Sequence, residues 1–210
     1  MRDERRGRVP RPSKPTPAQR REQRAASEDP AEVLDAAARF LEARPRSEDE
    51  VRRRLLRLGY RPEMVEEALA RLLTVGYLDD EAFARTWVES RDRARPRGEH
   101  ALRRELGQKG VERALVEAVL GDRRDDAALA AAADGDGAAN PDEAAAERLL
   151  TKRLGPILRE PNPRRRLQRA YALLARNGFA PDVCSTVAKR TLAASAAAVG
   201  DDEPGTEADG

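Results

Sequence analysis

The chain has 210 residues, of which 37% are charged and 3% aromatic, and one cysteine, Cys184, so an internal disulfide is excluded. No apolar stretch approaches the roughly 20 residues of a membrane span, and no apolar core follows the first arginines as a signal peptide requires. Residues 1–24 hold nine bases against three acids, residues 200–210 hold five acids and no base, and the rest is near neutral, which excludes a body that binds polyanions in bulk.

In chain order, residues 1–30 mix Arg, Pro, Gln and Ser without apolar periodicity and are read as a disordered basic arm. A first three-helix unit is expected over 31–76. Val33, Ala37, Phe40 and Leu41 share one helical face. Ser47 and Glu50 form a capping box before the stripe Val51, Leu55, Leu58, and Gly59 suits a left-handed helix end. Pro62 fits the first turn of the next helix, which Met64, Val65, Leu69, Leu72 and Leu73 line and Gly76 ends.

A second unit is expected over 77–121. Asp79, Asp80 and Glu81 sit where negative charge stabilises a helix N-terminus. Phe83, Ala84, Trp87 and Val88 give that helix its buried side, and helices over 97–108 and 112–120 follow. Residues 122–141, rich in Ala, Asp and Gly, read as a flexible linker, with a short helix over 126–133 as the alternative. A third unit over 142–199 uses Ala146, Leu149, Leu150 and Leu154, then a helix over 164–177, and 200–210 is a disordered acidic tail.

The units are copies. Arg44-Pro45-Arg46-Ser47-Glu48 returns as Arg95-Pro96-Arg97-Gly98-Glu99, and Val51, Leu55, Gly59 and Glu66 match Leu102, Leu106, Gly110 and Glu117, all at an offset of 51. Gly178-Phe179-Ala180-Pro181 echoes Gly59-Tyr60-Arg61-Pro62 at an offset of 119. A period of this size predicts an all-α chain of tandem three-helix repeats whose function lies on extended surfaces.

Four stretches resemble the RecX family of recombination regulators: Ser47-x-x-Glu50-Val51-x-x-x-Leu55; Leu72-Leu73-x-x-Gly76-Tyr77-Leu78-Asp79-Asp80-Glu81-Ala82-Phe83-Ala84; Arg97-Gly98 with Leu102, Leu106, Gly110 and Val111; and Arg176-Asn177-Gly178-Phe179. The resemblance covers about residues 31–193 and implies three such repeats in an elongated, curved rod. It implies a cytoplasmic regulator that binds the RecA recombinase in its filament on single-stranded DNA. There it would limit ATPase, filament growth and strand exchange, and so tune recombinational repair and the SOS response. The basic arm, the insertion near 121–141 and the acidic tail depart from that pattern.

The candidate contact residues are the basic rows Arg52, Arg53, Arg54 and Arg57, Arg103 and Arg104, and Arg164, Arg165 and Arg166. Arginine's planar fork fits carboxylates and phosphates alike. The same rows also read as solvated helix faces, since Glu48–Arg52, Asp49–Arg53, Glu50–Arg54 and Glu99–Arg103 are i, i+4 pairs. A nucleic-acid-binding helical protein, gripping phosphates with the arm and these rows, is the competing reading, with a structural adaptor as a third. His100, the only histidine, reads as a surface residue, and Cys184 aligns with Val65 and Val116 as a buried one. No phosphate loop, zinc ligand set or nucleophile–base pair is visible, so no enzyme activity, cofactor or metal is expected. The RecA filament is the expected partner, with weak contact to single-stranded DNA, no membrane, and a monomeric state.

Overall fold

The computed structural model describes residues 15–133 and 140–200, and among these every regular element is a helix. The helices are α1 (Pro17–Ala26), α2 (Pro30–Leu41), α3 (Glu48–Leu58), α4 (Pro62–Thr74), α5 (Asp80–Ala94), α6 (Glu99–Gln108), α7 (Arg113–Ala133), α8 (Pro141–Lys152), α9 (Leu154–Leu158), α10 (Pro163–Arg176) and α11 (Pro181–Gly200). The chain divides between Leu78 and Asp79 into two compact units. Among the described residues no helix is long and apolar enough to cross a membrane.

In the first unit, α2, α3 and α4 close around Val33, Ala37, Val51, Leu55, Val65, Leu69 and Leu72, with Tyr60 and Leu78 completing the core. The Ser47 hydroxyl accepts from the Glu50 N–H while the Glu50 carboxylate reaches back to the Ser47 N–H, so the capping box starts α3 where the spacing requires. Gly59 ends α3 at φ 103°, a conformation that carries no steric penalty only for glycine. Leu73, expected on the buried stripe of α4, is instead largely exposed. It follows Leu72, and the step of about 100° per residue carries it from that buried position to the edge of the apolar stripe.

The arm reading of 1–30 is corrected over Pro17–Ala26, which is helical. Thr16 and Gln19 form a capping box and Pro17 occupies the first turn, so the helix has a start signal without an apolar stripe. None of its residues is buried. Its attachment is cationic: Arg24 sits 5.7 Å from the Tyr60 ring centre and donates to the Leu58 carbonyl at 3.3 Å. The remainder of the arm, 1–14, lies outside the described residues, as does the tail 201–210.

The second unit holds two apolar clusters. One joins Phe83, Ala84 and Val88 to Leu102, Leu106, Val111, Val116 and Leu120, with Trp87 packed at its edge. The other joins Ala145, Ala146 and Leu150 to Leu174, Phe179, Cys184 and Val187. The linker expected over 122–141 is corrected through residue 133, because α7 runs unbroken to Ala133. Alanine and arginine favour the helix there, and Arg123 and Ala131 are buried. Residues 134–139, which contain the glycines, lie outside the described residues.

Candidate binding surfaces

Two of the nine candidate arginines are internal clamps at equivalent positions. On α3, Arg52 Nε donates to Glu66 Oε1 at 2.7 Å and Nη2 to Glu48 at 2.5 Å. On α6, Arg103 Nε donates to Glu117 Oε1 at 2.8 Å and Nη2 to Glu99 at 2.8 Å. Each arginine ties its helix to the next, and its hydrogen bond holds Glu66 or Glu117 below the usual carboxylate range. Arg166 is also turned inward, donating to the carbonyls of Glu160 at 2.6 Å and Pro161 at 3.2 Å. These three are withdrawn from the contact rows by geometry.

The remaining six keep exposed side chains. Arg53 pairs with Asp49, and the Arg57 Nε donates to the Arg53 carbonyl at 3.1 Å. Arg53, Arg54 and Arg57 line one groove of about 590 Å³ with Phe40, Arg46, Glu50 and Leu56. Arg165 lines another, along α10, with Gln168, Arg169, Ala172 and Arg176. The backbone N–H groups of Arg164 and Arg165 donate to the Asn162 side chain, and both residues are exposed. Arg104 stands apart from both grooves.

Sequence reasoning missed the residues that join the second and third triplets. Arg123, with 8% of its side chain exposed, donates to both Asp92 oxygens at 2.8 and 2.9 Å and to Asp142 Oδ1 at 2.8 Å. Although burial opposes its charge, the hydrogen bonds it donates to the two carboxylates raise its pKa on balance. The other Asp142 oxygen accepts from the Glu99 N–H at 3.0 Å. Asp142 thereby caps α6, whose own N-cap, Gly98, has no side chain to do so where its equivalent Ser47 has a hydroxyl.

Gly98 is required at that place for a different reason. A Cβ there would lie less than 3.0 Å from the Gly178 carbonyl, and one on Gly178 would collide with Ala101. The Gly98 N–H donates to the Asn177 carbonyl at 3.1 Å, and Arg97 donates to the Asn177 side chain. The motifs Arg97-Gly98 and Asn177-Gly178 are thus two halves of one backbone contact. The signal for it was present: Ser47 becomes Gly98 while Arg44, Pro45, Arg46 and Glu48 return unchanged.

An apolar groove of about 650 Å³ lies in the first unit between α2 and α4, lined by Leu34, Ala38, Leu41, Leu72, Val75 and Tyr77, with Asp35, Glu42 and Arg71 at its rim. Tyr77 is 72% exposed and Val75 57%. Cys184 is buried and His100 exposed, as the sequence predicts, and Tyr60, Val111 and Phe179 are buried as well.

The fold and these surfaces define a tandem three-helix protein whose candidate sites are open faces. Residues 34–72 match the family model for the first three-helix domain of RecX, and residues 79–120 that for the second. The regulatory protein RecX of Mycobacterium sp. (strain KMS) is 35% identical over 158 residues, covering 74% of this chain and 79% of that protein. That of Streptomyces coelicolor is 31% identical over 165 residues, covering 78% and 80%. The chain therefore belongs to the RecX family. RecX of Prosthecochloris aestuarii is 41% identical over 92 residues, and the chain spans only 61% of that relative's length. A solved RecX structure from Lactobacillus salivarius shares the fold at a TM-score of 0.63 and 18% identity, covering 78% of this chain and 96% of that one.

Proposed function

We propose that this chain is a cytoplasmic regulator that binds the RecA filament on single-stranded DNA and restrains its ATPase, its growth and its strand exchange, so tuning recombinational repair and the SOS response. Membership of a family of regulatory proteins carries this reading. The geometry supports contact over catalysis, because its candidate sites are open grooves on helix faces. The groove under Tyr77 suits an apolar side chain of a protein partner, since exposed aromatics beside apolar walls are typical anchors. A filament presents the same surface at every protomer, so several weak contacts on one chain add through effective concentration.

Co-sedimentation with RecA filaments assembled on single-stranded DNA, beside a RecA ATPase assay, tests the reading. Pelleting with filaments and a falling ATPase rate are expected, and Tyr77→Ala is expected to weaken both. Failure to pellet with filaments, or pelleting with the ATPase unchanged, refutes it.

A further inference from the structure

The three repeats differ at one face in a way that core packing does not explain. At the start of α6, Arg97 lies 3.3 Å from Glu105 and donates to the Asn177 side chain, so its charge is answered within the molecule. Glu105 also takes Arg91 Nε at 2.7 Å and Trp87 Nε1 at 3.0 Å. The equivalent residues in the first repeat, 51 positions earlier, are Arg46, Arg54 and Phe40 in place of Arg97, Glu105 and Arg91. The carboxylate has become a guanidinium, and one cation has become an aromatic ring.

The result is an unbalanced cluster. The Arg46 guanidinium carbon lies over the Phe40 ring, 4.1 Å from its centre, with that of Arg54 at 5.7 Å from the same ring, and Arg46 forms no ion pair among the described residues. Its buried Nε has no hydrogen-bond partner; Arg97 Nε has none either, but the Glu105 carboxylate stands 3.3 Å from it. Burial, and then the charge of Arg44 and of Arg54, lower its pKa against the opposing pull of Glu50. Arg53 and Arg57 stand one helical turn apart along the same groove, about 6 Å by the helical rise. At the offset of 119 the matching face of α10 is also basic, with Arg165 and Arg176 standing where Arg46 and Arg57 stand, though Arg169 there is tied to Glu160 at 2.7 Å.

We propose that the α3 groove, built from Phe40, Arg46, Arg53, Arg54 and Arg57, is a binding site for the sugar–phosphate backbone and a stacked base of single-stranded nucleic acid. Phosphate oxygens supply the counter-charge that Glu105 supplies in the second repeat. The Arg46–Phe40 pair supplies the stacking partner for a base, and single strands are held by such stacking together with guanidinium–phosphate contacts. The site acts on nucleic acid alone, so it stands or falls separately from the RecA reading.

The test is fluorescence anisotropy of a labelled oligodeoxythymidine with the full-length chain across a salt series. Arg54→Glu restores the residue found in the second repeat, and Arg46→Gln removes the stacked cation. Each is expected to weaken binding about tenfold at low salt and to shrink the slope of log K against log salt by about one. Arg93→Glu, on exposed α5 surface outside both grooves, carries the same charge change and is expected to bind as wild type. Wild-type affinity and slope in Arg54→Glu overturn the site, as does absence of binding by the wild-type chain. If Arg54→Glu keeps oligonucleotide binding but no longer pellets with RecA filaments, the groove faces protein carboxylates; the nucleic-acid site is then wrong while the filament reading stands. Far-UV circular dichroism checks folding, and Arg54→Gln decides the matter if the glutamate variant unfolds.

Discussion

Replacing Arg123 by alanine strands two carboxylates where the second and third triplets join. Asp142 has 8% of its side chain exposed and Asp92 25%, so neither regains full hydration. Removing one partner of a buried ion pair costs about 3–5 kcal/mol. The lower end applies here, because Asp142 keeps the Glu99 N–H and Arg148 stands 4.0 Å from Asp92. A loss of about 3 kcal/mol follows, against at most about 1 kcal/mol for Arg52→Ala, whose side chain is 29% exposed and whose partner Glu66 is 55% exposed. Trp87, the only tryptophan, lies in the same compact unit as Arg123, so its fluorescence in urea reports that unit. With a slope of about 1–3 kcal/mol per molar urea, the midpoint should fall by roughly 1–3 M. A fall no larger than that of a conservative surface substitution would refute the view that Arg123 holds the two triplets together.

Other consequences are measurable in the same way. Gly98→Ala should destabilise the second unit by about 3 kcal/mol, since the added methyl meets backbone that cannot step aside. Gly107→Ala, on the exposed side of α6 with nothing within 4 Å of the new methyl, should instead stabilise by about 0.5–1 kcal/mol; urea midpoints of opposite sign check both. Glu66 and Glu117 have folded-state pKa values below the ordinary 4.5, so the unfolded chain binds protons first as the pH falls. Their contribution is therefore present above about pH 4.5 and is lost as the pH drops through the lowered folded values. In Arg52→Gln and Arg103→Gln variants this part of the acid dependence should be reduced, as thermal melts across pH 3–6 would show. Cys184 is fully buried and its thiol is pushed up by that burial, then by Asp182. A thiol-specific reagent should label it only as fast as the second unit opens, with prompt labelling in urea.

The sequence by itself determined what depends on neighbours a few residues apart. Helix starts at Ser47, Asp79 and Pro181, left-handed ends at Gly59, Gly76 and Gly178, and the apolar stripes between them are local decisions of capping, backbone freedom and 3.6-residue period. The offsets of 51 and 119 carried those decisions from one repeat to the next, and the family resemblance rode on them. The helix over Pro17–Ala26 was missed because its signal was a cap without a stripe. The continuation of α7 was missed because alanine and aspartate suit linkers and helices alike, and only burial of Arg123 separates the two.

Tertiary structure decided which arginines are available. Arg52, Arg103 and Arg166 look identical in sequence to Arg54, Arg104 and Arg165, yet the first three are spent on carboxylates or carbonyls of adjoining segments. A guanidinium reaches far along a flexible stem, so its partner is set by which helix lies across from it. That in turn follows from core packing between residues distant in the chain. The same holds for Glu99 with Asp142, 43 positions apart, and for Gly98 with Gly178, whose contacts exist only once α6, α8 and the turn before α11 are packed together. Sequence periodicity records the repeat; the contacts that make one repeat differ from the next are recorded only in space.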